Sequence, residues 1–248
     1  MIPITDNLDN LNNLDYPYLQ RMPLATYCLI GLILGMFAWE LHLGTKQELE
    51  PILLTWGLVP LRLTTVTQDV LSSGNPAAIV AWFLVASSLV KAMFLHSSFA
   101  QVVGNIIFLW VFGRRIESLL GKGKFLLFYL GMGIITGLGQ ILIAPQLESP
   151  LVGANGAIAA TIGAYLITFP HAKIDTILPL GVVFIPLQLP ALFFSFWWFM
   201  QQMTYGIGLI VPNIQVNNGS AAYWSHGLGM IVGAIVIKLI MRNKLLQN

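Results

Sequence analysis

Apolar residues run along this chain in long blocks divided by short polar stretches, and block length indicates what each one is. A helix needs about 20 mostly apolar residues to cross the hydrocarbon core of a bilayer. Six blocks approach that length: residues 26–41, 99–120, 124–144, 156–169, 192–211 and 221–241. They predict an all-α membrane protein built as a six-transmembrane-helix bundle. The fourth block is short and opens on glycines, Gly153 and Gly156. Short, glycine-interrupted spans that begin within the membrane are places where a site can be built. Residues 77–90 form a further apolar stretch that is short and runs into Lys91. It reads as a partly embedded loop, with a seventh span as the alternative. The segment 42–91 is far longer than the ~12–15 residues of an ordinary connection. It carries Trp56, Trp82 and many leucines, so it is expected to lie in the outer interface.

Composition agrees with the pattern. Hydrophobic residues make up 56% of the 248 residues and charged residues 9%, with a mean hydropathy of +0.78; soluble domains carry roughly 25% charged residues. A net charge of +2 gives no reason to expect nucleic acid as a partner, and matters only through its distribution. With the N-terminus in the cytoplasm, Arg21, Arg114, Arg115, Lys122, Lys124, Lys173, Lys238, Arg242 and Lys244 fall inside, and Lys46, Arg62 and Lys91 outside. That is the asymmetry of the positive-inside rule. Both termini are then cytoplasmic, in a plasma or inner membrane. The leader 1–22 is acidic (Asp6, Asp9, Asp15) and is expected to be disordered; the first span, coming after it and lacking a small-residue cleavage site, does not read as a cleavable signal peptide. Residues 23–248 read as one helical membrane domain without internal repeats. The single cysteine, Cys28, excludes an internal disulfide framework and is expected to pack in a helix.

Strongly polar side chains inside the membrane are functional candidates, because an unpaired one costs several kcal/mol. His96 precedes the second span, with Gln101 and Asn105 one helical turn apart on one face. Asn155 stands at the mouth of the fourth span and His226 in the outer part of the last. Gly229 and Gly233 lie three and seven residues beyond His226, on its own helical face, and glycines at that spacing let another helix approach closely. The bland reading is interhelical glue for Gln101 and Asn105, and a carbonyl-bonded histidine for His226. No His-Glu-x-x-His or paired-carboxylate spacing occurs, so a metal is not expected; no cofactor is expected either. Asn218-Gly219-Ser220 matches a glycosylation sequon and reads better as a turn.

Several motifs then fall in one order. His96 is followed by Asn105; the second span ends Phe112-Gly113, Ile116-Glu117, Gly121; "GKFLLFYL", "GANGAIAATIGAYLITFPHAKI" and "SHGLGMIVG" come after it. Together they resemble the rhomboid family of intramembrane serine proteases, over residues 23–240. The resemblance implies a six-helix bundle with a water-filled cavity open to the outer face. It implies a serine in Gly-x-Ser-Gly at the start of the fourth helix, activated by the histidine of the sixth, and attack on a substrate's transmembrane helix. A hydroxyl needs such a base within hydrogen-bond reach. In this chain His226 takes the base position, and Gly153, Ala154, Asn155 and Gly156 take the nucleophile motif, with Asn155 in place of the serine. The oxyanion-hole positions fall on Gln101, which stands where the family has a second histidine, on Asn105, and on the backbone N–H of Asn155. His96 and Glu117 are motif residues with structural roles.

An amide nitrogen is delocalised into its carbonyl, so His226 cannot convert Asn155 into a nucleophile. Ser97, Ser98, Thr161 and Ser225 are not placed by the motif to replace the serine. Asn155 is instead expected to accept from His226 through its oxygen and to donate to a carbonyl through its NH2. The leading reading is a rhomboid-like pseudoprotease that binds transmembrane helices of client proteins within the bilayer. An active intramembrane protease is the alternative; it requires another nucleophile, or a serine in the natural protein where this sequence has Asn155. A transporter or channel ranks last, because the candidate polar residues cluster in the outer half.

Overall fold

The computed structural model describes residues 1–10, 22–44, 49–180, 183–206 and 220–245. Nine helices follow one another among these residues: α1 (Leu24–Gly44), α2 (Leu49–Trp56), α3 (Pro60–Ser73), α4 (Pro76–Phe94), α5 (Phe99–Leu120), α6 (Lys122–Ile143), α7 (Asn155–Thr168), α8 (Ala191–Gly206) and α9 (Ser220–Leu245). Local chemistry sets their ends. Pro60 and Pro76 open α3 and α4, where a missing N–H costs nothing, and the Asn75 side chain accepts from Ala77 N at 2.9 Å. Ser98 caps α5, its hydroxyl accepting from Gln101 N at 3.2 Å. Gly121, at φ 80°, makes the corner between α5 and α6.

Among the described residues, five helices are long and apolar enough to cross a membrane: Leu24–Leu43, Pro76–Phe94, Phe99–Leu120, Lys122–Ile143 and Trp224–Arg242. Asn155–Thr168 and Ala191–Met200 are shorter apolar helices. All six expected blocks are therefore helical where described; residues 207–211 of the fifth lie outside the described residues, as do Asn218 and Gly219. The stretch 77–90, read as a partly embedded loop, is instead helical through a turn at Ser87 and reaches Phe94, 19 residues in all. Cys28 is helical as expected, and exposed.

Packing centres on α7, where every residue from Ala157 to Tyr165 is buried, as expected of a helix that is apolar all round. Glycines bring α9 onto it. A Cβ on Gly163 would collide with the Met230 carbonyl, one on Gly233 with the Ala160 carbonyl, and one on Gly229 would stand 2.5 Å from Gly156 O. Within α5 the turn Leu109–Gly113 is π-helical, with Leu109, Val111, Phe112 and Gly113 buried.

The all-α expectation misses one element. Strands β1 (Ile2–Asp6), β2 (Lys173–Leu180) and β3 (Val183–Pro190) form an antiparallel sheet in the order β1-β2-β3, with Asp6 opposite Ile174 and Lys173 opposite Pro190. The first residues of the leader are thus ordered, against the expectation of disorder. Asp6 is buried, holds both carboxylate oxygens 3.0 Å from Arg115 Nε, and accepts from Tyr165 OH at 2.8 Å. Arg114 donates to Thr5 Oγ1 at 2.7 Å. Glu117 plays a similar part for α1: its oxygens accept from Ala25 N at 2.8 Å, Thr26 N at 2.7 Å and Thr26 Oγ1 at 2.8 Å. Those backbone groups belong to the first turn of α1, where helical N–H groups have no intrahelical partner.

Candidate functional site

The loop before α7 is held from three directions. Leu58 and Leu151 exchange backbone hydrogen bonds at 3.0 and 2.8 Å, Gly153 N donates to Ala92 O at 2.8 Å, and Gln101 Nε2 donates to Val152 O at 3.0 Å. Gly153 then turns the chain at φ 107°, a conformation open to glycine. Its missing side chain matters as well, because a Cβ there would run into the Gln101 amide. Asn155 is the first residue of α7.

Gln101 also reaches back along α5. Its Oε1 accepts from Ser97 N at 2.8 Å and from Ser97 Oγ at 2.9 Å, so one amide ties the start of α5 to the loop before Asn155. Asn105 is buried, and its Nδ2 lies 3.1 Å from His96 Nε2. His96 Nδ1 lies 3.2 Å from Phe94 O. With Nδ1–H donating to the carbonyl and Nε2 accepting from Asn105, the ring is neutral. Its place in the turn between α4 and α5 favours that state, since burial pushes its pKa down to about 4, against the opposing pull of the Phe94 carbonyl. The His96 backbone N–H donates to Glu40 Oε1 at 2.9 Å.

Asn155 lines a cavity of about 40 Å³ together with Thr136, Gln140, Gly153, Gly156 and Ser225. That is room for a few waters, among polar groups able to hold them. His226 is buried on α9 with its ring stacked on Trp198, centroids 5.7 Å apart. Three residues on, Gly229 meets Gly156, so the α9 face that carries His226 is the one pressed against the start of α7.

A sequence profile of the rhomboid domain matches residues 80–243. The chain belongs to the rhomboid family. It is 38% identical over 78 residues to the "Putative rhomboid protease YdcA" of Bacillus subtilis, a stretch covering 32% of this chain and 39% of that protein. It is 31% identical over 91 residues to "Rhomboid protein 1, mitochondrial" of Saccharomyces cerevisiae, covering 35% and 26%. A longer likeness, 25% identity over 227 residues, joins it to the "Rhomboid protease GlpG" of Photorhabdus laumondii, covering 91% of this chain and 64% of that one. The matched stretches thus span about two fifths or less of the first two relatives.

In this rhomboid-family chain the predicted site residues fall into four settings. Gln101, Gly153 and Asn155 meet at the head of α7; His226, Gly229 and Gly233 lie on α9, whose glycines meet Gly156 and Ala160 of α7; His96 and Asn105 pair with each other; Glu117 lies apart, at the start of α1. Sequence reasoning missed four contributors. Thr136 and Gln140 line the cavity, Glu40 supports His96, and Trp198 covers His226. Glu40 and Gln140 carried a usable signal, as polar side chains inside apolar blocks. Ser225, which the motif does not place as a nucleophile, is buried and lines the same cavity as Asn155.

Proposed function

We propose that this rhomboid-family protein keeps the family's intramembrane site without its nucleophile and acts as a pseudoprotease, binding transmembrane helices of client membrane proteins without cutting them. One observation carries the reading: the residue that opens α7, beside the small cavity and opposite the His226 face of α9, is Asn155. The carboxamide offers hydrogen bonds and no hydroxyl. In this reading Asn155 fills the nucleophile position and His226 the base position. Gln101, Asn105 and the Asn155 backbone N–H stand at the oxyanion positions. In this reading the six apolar blocks cross a plasma or inner membrane, α4 stays with the outer segment 42–91 rather than crossing, and both termini are cytoplasmic, a layout supported by the lysine and arginine distribution.

A second reading is favoured by Ser225, a buried hydroxyl next to His226 that lines the cavity. It makes the protein an active intramembrane protease with an unusual nucleophile, and several relatives bear the name protease. Labelling with a serine-directed fluorophosphonate in membranes separates the two. The parent protein stays unlabelled, Asn155→Ser labels, and adding His226→Ala abolishes that labelling. Labelling of the parent that Ser225→Ala removes overturns the pseudoprotease reading.

A further inference from the structure

A groove of about 210 Å³ opens beside α1, between the end of α2 and the end of α4, lined by Leu32, Met36, Trp56, Lys91 and Phe94. Four of these side chains are apolar or aromatic, and Leu32 is exposed, so the groove opens sideways at the depth of a membrane-crossing helix. The fifth is a cation. Lys91 Nζ sits 5.7 Å from the centroid of the Trp56 ring, and Trp56 in turn packs on Trp39 at 5.3 Å. Arg62, close by in sequence to α2, spends its guanidinium on the carbonyls of Leu54, Thr55 and Gly57. Lys91 is disposed otherwise: among the described residues it meets no carboxylate, and an indole face answers its charge while leaving N–H donors to spare.

A lysine at the rim of an apolar, bilayer-facing groove is costly unless its ammonium reaches an anion or the interface. We propose that this groove is a phospholipid site. The lipid phosphate rests on the Lys91 ammonium, and one acyl chain lies along Leu32, Met36 and Phe94. The Trp56 indole stands at headgroup level, where tryptophans concentrate. Charge complementarity selects the phosphate, and the apolar walls select the chain. Met36 and Trp56 also pack against the cluster of Leu53, Leu95 and Val152. The carbonyl of Val152 is the one that receives the Gln101 amide. The groove thus adjoins, through that cluster, the loop that leads into Asn155, whatever chemistry that site performs.

Native mass spectrometry of the full chain in detergent, titrated with palmitoyl-oleoyl phosphatidylglycerol, tests the site. The parent retains a first lipid adduct, and Lys91→Gln weakens it about fivefold, the worth of one lysine at an anionic lipid surface. Lys91→Arg restores it. Leu32→Trp fills the groove and weakens the adduct while keeping the charge, and palmitoyl-oleoyl glycerol, which lacks the phosphate, binds as weakly as lipid does to Lys91→Gln. Melting temperature confirms that each variant is folded. Unchanged retention in both Lys91→Gln and Leu32→Trp overturns the proposal. Displacement of the adduct by inorganic phosphate overturns it too, by showing that the site takes the free anion.

Discussion

Gly229 of α9 lies against the carbonyl of Gly156 in α7, so closely that a Cβ at Gly229 would stand 2.5 Å from that oxygen. The obstacle is backbone, and backbone buried in a packed helix pair cannot swing aside as a side-chain tip does. Gly229→Ala should therefore force α9 away from α7 at a cost of about 1–3 kcal/mol, the usual range for overpacking. Because His226 lies one turn before Gly229, the same change should also remove fluorophosphonate labelling from the Asn155→Ser protein. Gly31→Ala is the control, since nothing lies within 4 Å of its added Cβ. Equal melting temperatures for the two alanine variants would show that α7 and α9 are not in backbone contact.

The loop before α7 yields a coupled pair. Gly153→Ala meets two obstacles, a positive φ of 107° and the Gln101 amide. Its expected cost is about 1–3 kcal/mol, as for other residues held in sparsely populated backbone regions. Gln101→Ala removes one obstacle along with the bond to Val152 O. In the Gln101→Ala background, Gly153→Ala should then cost less than it does alone, with an interaction energy of about 0.5 kcal/mol or more. Thermal melts of the four proteins give that number directly, and simple additivity would mean that the two residues do not meet.

Glu117 gives a graded series. Its carboxylate accepts three hydrogen bonds from Ala25 and Thr26, closing the start of α1, where the helix dipole also favours a negative charge. Glu117→Ala leaves buried donors without acceptors and should destabilise by about 3 kcal/mol or more. Glu117→Gln keeps an acceptor and should fall between that variant and the parent. Thr26→Val loses one hydroxyl donor and should cost about 1 kcal/mol. The order of melting temperatures is the check.

Much of this molecule was legible in its sequence, and the gaps have physical causes. α1, α5, α6 and α9 were readable because a helix in hydrocarbon needs about 20 mostly apolar residues. Asn155, Gln101 and Asn105 stood out because amides are costly there. The helical extent of α4 was legible only as the alternative of a further span: Lys91 reads as the end of its apolar run, and Ala92, Met93 and Phe94 beyond the charge complete the helix. The sheet left still less trace. β2 and β3 carry Pro179, Pro186 and Pro190 and few alternating polar positions, and their partner Ile2–Asp6 lies far upstream in an acidic leader that resembles solvated chain.

Asp6 is where that hidden element becomes testable. Its carboxylate is buried against the Arg115 guanidinium and the Tyr165 hydroxyl, tying β1 to both α5 and α7. Asp6→Ala strands a buried cation and should cost about 3–5 kcal/mol, whereas replacing both partners by apolar residues can be close to neutral. Asp6→Ala combined with Arg115→Met should therefore recover much of the stability lost in Asp6→Ala alone, and Tyr165→Phe should cost only about 1 kcal/mol. Melting temperatures in detergent decide the matter. If Asp6→Ala melts with the parent, the first strand is not bound to the bundle; if it melts low and the double variant recovers, the leader is a structural part of the membrane domain.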